Sequence, residues 1–253
     1  MKKGVKTALI IIGVILLLGV IGFIIWGLTP LGPTSEALAA MESNANVTVK
    51  DNGNFIVFTP TSNKPITGFI FYPGGHVDYR SYAPVAQEIA RHGYMVSIVR
   101  MPLSLAVFDI DKADEVITAY PKMRYWVIGG HSLGGSMAAS YTRKNTDKVQ
   151  GLVFWASYPG NSDDLSSTSV KGLSTYGSND QVLNRDNFNA TVPLLPPGTS
   201  MQVIQGGNHA QFGNYGLQPG DGTATISIDD QQTQAADMTV RLLRAVEGEY
   251  SRV

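Results

Sequence analysis

Short uninterrupted apolar runs alternate with segments of helical spacing through most of this sequence, and this alternation constrains the fold most strongly. A strand that is apolar along its whole length must be covered on both faces, which is typical of a parallel sheet between two layers of helices. The fold class is therefore predicted to be α/β. The expected strands are Val47–Lys50, Phe55–Thr59, Ile66–Tyr72, Met95–Val99, Tyr125–Ile128, Val149–Ala156, Gly172–Tyr176 and Met201–Gln205, and the expected helices are Pro84–Arg91, Ala113–Tyr120, Leu133–Arg143 and Gln231–Val246.

An uncharged segment, Thr7–Leu28, precedes this domain. As a helix it would extend roughly 33 Å, enough to cross a hydrocarbon core of about 30 Å. Three lysines, at positions 2, 3 and 6, stand just before it, whereas the first charge after it is Glu36. The positive-inside rule therefore places the rest of the chain outside the cytoplasm. The alternative is a signal peptide cleaved near Ala37-Leu38-Ala39, which would release the domain.

These features divide the chain into three parts. We predict a signal anchor over residues 1–29, a linker over 30–46 that begins with helix-breaking prolines, and the α/β domain over 47–253. The protein is accordingly expected to be a single-pass protein of the cell membrane that contacts the bilayer through residues 7–28. Secretion after cleavage is the alternative.

Composition excludes several classes of function. The formal net charge is −1 at pH 7, which provides no basic surface for a nucleic acid. The chain has no cysteine, which excludes disulfides, zinc–thiolate sites and a cysteine nucleophile. Its four histidines do not form the i, i+4 pair of a zinc-binding helix, and no G-x-x-x-x-G-K phosphate loop is present. We therefore expect no metal, no other cofactor and no nucleic-acid partner.

A serine between glycines separates a predicted strand from a predicted helix. The segment is Gly129-Gly130-His131-Ser132-Leu133-Gly134-Gly135, which contains the nucleophile-elbow pattern G-x-S-x-G. The sharp turn holds the serine in a strained conformation and presents its hydroxyl at a helix N-terminus, where the helix dipole favours negative charge. Ser132 is therefore the candidate nucleophile.

A serine nucleophile needs a base and an acid that orients the base. His209 follows the last predicted strand, where a loop can reach the carboxyl edge of the sheet at which ligands bind. The chain order Ser…Asp…His requires the acid between them, and Asp180 follows the strand Gly172–Tyr176. Asp163 and Asp164, after the preceding strand, are the reserve candidates.

Backbone N–H groups must stabilise the oxyanion of the reaction. One is expected from Leu133, the residue after the nucleophile. The other is expected from Tyr72-Pro73-Gly74-Gly75-His76, which follows an early strand, with Gly75 or His76 as the donor. A plain tight turn is the alternative interpretation of the two glycines.

Four segments together resemble the α/β-hydrolase superfamily, over about Phe55 to Val246, and in particular its dienelactone-hydrolase-like branch, α/β-hydrolase fold 5. They are Tyr72-Pro73-Gly74-Gly75-His76, Gly130-His131-Ser132-Leu133-Gly134-Gly135, Gly177-Ser178-Asn179-Asp180 and Gly207-Asn208-His209. The resemblance implies an eight-stranded, mostly parallel sheet and carboxylic-ester chemistry. The chain departs from the dienelactone enzymes in lacking their cysteine nucleophile, and the short segment from Ala156 to Gly172 leaves no room for a large helical cap.

The expected function is that of a serine hydrolase that cleaves a small-molecule or lipid-like carboxylic ester through an acyl-enzyme. Two alternatives remain open from the sequence. The same triad could transfer acyl groups or cleave amide bonds on cell-envelope components, or the domain could be a non-catalytic scaffold that binds a partner. The presence of Ser132, Asp180 and His209 together favours an enzyme.

Overall fold

The domain is built on one eight-stranded sheet, in a computed structural model that describes residues 3–250. The strands are β1 (Val47–Asp51), β2 (Phe55–Pro60), β3 (Thr67–Tyr72), β4 (Met95–Val99), β5 (Tyr125–His131), β6 (Gly151–Trp155), β7 (Lys171–Gly177) and β8 (Ser200–Ile204). Their order in the sheet is β1-β2-β4-β3-β5-β6-β7-β8. β1 pairs antiparallel with β2, and β2 with β4, whereas all other pairs are parallel. The prediction of eight mostly parallel strands is confirmed.

Helices cover both faces of the sheet. The α-helices of the described chain are α1 (Lys3–Gly27), which lies outside the sheet, and α2 (Ser35–Ala39), α3 (Ala83–Arg91), α4 (Ala113–Ala119), α5 (Leu133–Lys144), α6 (Arg185–Thr191) and α7 (Ile228–Tyr250). Successive residues of a strand point to opposite faces. Phe69 and Phe71 of β3 therefore share a buried cluster with α3 and α7, and Ile70 and Tyr72 share the other cluster with α4 and α5.

The segment predicted as a linker, residues 30–46, instead packs on the domain. Leu31 forms a bridge with Val77, and the backbone N–H of Thr34 donates to the Asn214 carbonyl over 2.8 Å. The Thr34 side chain also accepts a hydrogen bond from the N–H of Ala37, which caps α2 and buries Ala37 completely. A polar cap directly after a proline-rich stretch starts this short helix.

Other differences are smaller. α6 lies in a stretch whose helical pattern is too short to recognise, and β5 continues three residues further than predicted, to His131. Within the described chain, residues 156–170 between β6 and β7 contain no α-helix, which agrees with the expected absence of a cap there.

α1 is long and apolar enough to cross a membrane. The span Gly4–Gly27 reaches a mean hydropathy of 3.2, and none of that apolar window is buried by the domain. A signal sequence also satisfies this criterion of length and hydropathy, so the finding identifies an apolar N-terminal helix of either kind.

Candidate active site

Ser132 is the single residue between β5 and α5. Its backbone adopts φ 53° and ψ −123°, a strained conformation for a residue with a side chain. The end of β6 holds it there, because the N–H of Ser132 donates to the Trp155 carbonyl over 2.9 Å and the Ser157 hydroxyl donates to the Ser132 carbonyl over 2.6 Å. The serine therefore occupies a fixed position at the carboxyl edge of the sheet.

Two glycines let this turn approach the neighbouring strand. A Cβ added at Gly130 would lie 2.5 Å from the carbonyl oxygen of Tyr72, and one added at Gly134 would lie 2.2 Å from the same atom. Both distances are shorter than any real contact of a Cβ, and the obstacle is backbone rather than a flexible side chain. The glycines of the motif are thus required by the close contact between α5 and the end of β3.

A Gly134→Ala variant is expected to be markedly less stable. Accommodating the methyl group requires α5 to move away from β3, which costs about 2–3 kcal/mol by analogy with overpacked cores. For a domain of this size the apparent Tm should fall by roughly 5–10 °C. Gly32→Ala is the control, since a Cβ there meets no atom within 4 Å, and equal Tm values for the two variants would contradict the explanation.

The structure brings Asp180 and His209 together. His209 Nδ1 lies 2.9 Å from Asp180 Oδ2, and their side chains are 2% and 0% exposed. The other carboxylate oxygen of Asp180 accepts hydrogen bonds from the N–H groups of Val182 and Leu183, at 2.9 and 2.8 Å. Three hydrogen bonds therefore fix the carboxylate, and it can orient the imidazole.

The loop that carries His209 is held on both sides. Asn208 and the Gln231 side chain exchange two hydrogen bonds, from N–H to Oε1 at 2.9 Å and from Nε2 to the carbonyl at 2.7 Å. On the other side, the N–H of Ala210 donates to Asp221 over 2.8 Å. Sequence reasoning missed both partners, because nothing in their local sequence relates them to His209.

Ser132 and His209 line the same cavity, which has a volume of about 270 Å³. His209 Nε2 is buried and has no hydrogen-bond partner among the residues that the structure describes. Because Nδ1 faces a carboxylate, it carries the proton of the neutral ring, and Nε2 has a free lone pair. The remaining walls include Leu133, Tyr158 and Leu183. The arrangement provides a hydroxyl and an oriented base at one cavity.

The reserve acids have other partners. Asp163 accepts a hydrogen bond from the Ser140 hydroxyl, and Asp164 accepts one from the N–H of Ser166. The loop over residues 211–223 contributes no lining residue to this cavity in the described chain. It braces His209 instead, through Asp221.

The predicted oxyanion donors are the N–H groups of Leu133, Gly75 and His76. They differ in whether another group in the structure already accepts their hydrogen bond. Leu133 is the first residue of α5, so its N–H has no acceptor within the helix. Gly75 packs against Leu133, since a Cβ on Gly75 would be 3.0 Å from Leu133 Cδ2. The N–H of Gly75 has no acceptor in the described part of the chain. His76 is the correction: its N–H already donates to the Ser104 carbonyl over 2.8 Å, which leaves Gly75 as the second candidate.

A buried tyrosine that the sequence did not suggest connects two loops of the site. The Tyr82 hydroxyl accepts a hydrogen bond from the N–H of Gly74 at 3.0 Å and lies 2.8 Å from His131 Nδ1. Burial, with His209 nearby, holds the pKa of His131 well below its usual value, so this histidine is neutral and Nδ1 can accept the hydroxyl proton. His131 also packs against His209, with the two ring centroids 4.4 Å apart.

Replacing Tyr82 by phenylalanine is expected to destabilise the protein by about 1–3 kcal/mol, since Gly74 N–H and His131 Nδ1 would both be buried without a partner. We also expect kcat to fall, because the Gly74–Gly75 turn would lose its anchor. Urea unfolding and ester kinetics would measure both effects. Tyr120→Phe, at a half-buried tyrosine at the end of α4, is the control, and an equally small effect in both variants would contradict the assignment.

Comparison with known proteins identifies the family of this fold. A family model described as the alpha/beta hydrolase family matches residues 68–233, a range that includes Ser132, Asp180 and His209. Among solved structures, an alpha/beta hydrolase enzyme from the metagenome of sediments of the Mar Chica lagoon in Morocco is similar over 81% of this chain and 99% of its own. The TM-score is 0.55 at 17% identity, which shows a shared fold. No curated protein matches the chain. The match over well more than half of the sequence shows that the chain belongs to the alpha/beta hydrolase family.

Proposed function

We propose that this protein is a membrane-anchored serine hydrolase that cleaves carboxylic esters through an acyl-enzyme. The observation that carries the proposal is the buried His209–Asp180 hydrogen bond of 2.9 Å, beside a cavity that both His209 and Ser132 line. A base oriented by a carboxylate is what a serine hydroxyl requires to become a nucleophile.

The reaction would begin with attack of Ser132 Oγ on the ester carbonyl while His209 Nε2 takes the hydroxyl proton. The N–H groups of Leu133 and Gly75 would stabilise the resulting oxyanion. Collapse of this intermediate expels the alcohol, which receives the proton from His209, and leaves an acyl group on Ser132. His209 then deprotonates a water molecule that attacks the acyl group. The bond between the acyl carbon and Ser132 Oγ breaks, His209 returns the proton to Oγ, and the carboxylic acid leaves.

The proposed location rests on α1 and its flanking charges. The apolar helix, with lysines only on its N-terminal side, supports a retained anchor that places the catalytic domain outside the cytoplasm. The Trp26 ring, in the last turn of α1, stacks on the His76 ring of the domain, and this contact also favours retention over cleavage.

The full-length protein in detergent tests the catalytic proposal with p-nitrophenyl esters from acetate to dodecanoate. We expect hydrolysis that a fluorophosphonate abolishes in a time-dependent manner. Product analysis with added alcohol then separates hydrolysis from acyl transfer, and an amide series separates ester from amide cleavage. A chain that turns over none of these esters and resists the fluorophosphonate would contradict the proposal.

A further inference from the structure

The last turn of α1 is packed against the catalytic domain. The Trp26 ring stacks on the His76 ring, with centroids 4.1 Å apart and planes 8° from parallel, and His76 Nε2 donates to the Trp26 carbonyl over 2.8 Å. A Cβ on Gly27 would lie only 2.8 Å from Leu103 Cβ. The domain therefore sits directly on the end of the apolar helix, without a free tether between them.

Loop 102–108 extends from this contact back along the helix. The Phe108 ring lies edge-on to Phe23, with centroids 6.2 Å apart. Phe23 precedes Gly27 by one turn, which is about 6 Å along the helix axis. Phe108 and its neighbour Val107 are nevertheless 52% and 43% exposed. Phe108 thus lies beside the helix, about one turn before its contact with the domain, and Val107 is its exposed neighbour in the loop.

The depth of these side chains in a bilayer can be estimated from the length of the helix. The stretch from Thr7 to Trp26 rises about 30 Å, which matches a hydrocarbon core, and tryptophan prefers the boundary of that core. Phe23 then lies inside the apolar layer. On the domain side, a cleft of about 570 Å³ beside Gly27 is lined by Arg100 and by the ion pair of Arg80 with Asp78, and this polar lining suits the headgroup layer.

The same loop borders the proposed oxyanion donors. The carbonyl of Ser104 accepts the N–H of His76, and Leu105 Cδ2 would lie 3.5 Å from a Cβ on Gly75. Leu103 and Ser104 both have positive φ, 50° and 55°, so the loop holds a defined shape between the helix and the site. An ester held at the bilayer surface would therefore be next to the groups that bind its carbonyl.

We propose that loop 102–108 inserts Val107 and Phe108 into the bilayer surface beside α1, and that the enzyme takes a lipid ester directly from that surface. The substrate class rests on the proposed serine-hydrolase function, whereas the insertion itself does not. Burial of the two side chains in lipid removes the apolar surface that the domain leaves uncovered.

Site-specific labelling tests the insertion. Because the sequence has no native cysteine, a label reacts only with the cysteine that is introduced. A Val107→Cys variant, labelled with an environment-sensitive fluorophore, would be reconstituted in vesicles of phosphatidylcholine and phosphatidylglycerol. We expect blue-shifted emission that nitroxide-bearing lipids quench. Lys122→Cys, an exposed position just before the start of β5, should remain in water. Water-like emission at both positions would overturn the insertion. Self-quenching that is relieved by dilution with unlabelled protein would also overturn it, because that result assigns the surface to contact with a second copy of the protein.

A charge at the inserted tip tests the substrate class. Phe108→Asp should lower hydrolysis of a vesicle-resident fluorogenic phospholipid ester about tenfold and change p-nitrophenyl acetate hydrolysis less than about twofold. Met201→Asp, an equally drastic change at an exposed residue on the edge strand β8, should alter neither rate. An equal loss on both substrates, or no loss on the vesicle ester, would overturn lipid access. A wild-type protein inactive on both esters would instead refute the serine-hydrolase proposal, and the fluorophore result would still decide the insertion.

Discussion

A Ser132→Ala variant is expected to lose ester hydrolysis by about 10³-fold or more in kcat, because the residues of a triad act as a unit. Without the hydroxyl, no acyl-enzyme can form, and only the oxyanion donors and substrate binding remain to assist attack by water. Alanine retains the backbone hydrogen bonds that hold position 132, so the fold should be preserved.

The measurement is kcat/KM on p-nitrophenyl butyrate, with circular dichroism and apparent Tm to establish folding. Ser167→Ala, at an exposed serine in the segment after β6, is the matched control and should behave as wild type. Activity of folded Ser132→Ala within tenfold of wild type would contradict the assignment of the nucleophile.

An Asp180→Asn variant is expected to lose about 10³-fold in kcat with little change in KM. The amide oxygen can still accept the two backbone N–H groups of Val182 and Leu183, so the loop should keep its shape. The amide nitrogen then faces His209 Nδ1 as a donor. The imidazole is driven to the other tautomer, which places its proton on Nε2 and removes the lone pair that must accept the proton of Ser132.

Asp163→Asn is the matched control for this variant. Asp163 is also buried and hydrogen-bonded, to Ser140, but does not contact His209. We expect it to retain activity within a few-fold of wild type. A larger loss for Asp163→Asn than for Asp180→Asn, with both variants folded, would identify the reserve carboxylate as the orienting acid.

The sheet could be predicted because each strand is specified locally. Runs such as Met95–Val99 are apolar at every position, and the strand ends agree with the sequence prediction to within three residues. Short helices could not be predicted in this way. α2 depends on the Thr34 cap and on burial of Ala37 against a distant part of the chain, which no local pattern contains.

The parts of the candidate site that could be predicted are those whose residue type the chemistry dictates. A nucleophile, a base and an acid in this chain order restrict the choice to a few positions, and the structure places Asp180 and His209 in hydrogen-bond contact. The supporting contacts are long-range and have no such constraint. The Tyr82 hydroxyl and the Ser104 carbonyl meet the Gly74–His76 turn only after folding, which is why His76 remained a candidate donor in the sequence.

Mass mapping of the fluorophosphonate adduct tests the central claim most directly. The full-length protein would be treated in detergent, digested with trypsin and analysed by fragmentation of the peptide Tyr125–Arg143, which contains Ser132, Ser136 and Ser140. We predict one adduct, on Ser132, and its loss in a folded His209→Ala variant, because the serine needs that base to react. An adduct on another residue, or undiminished labelling of Ser132 without His209, would contradict the proposed triad.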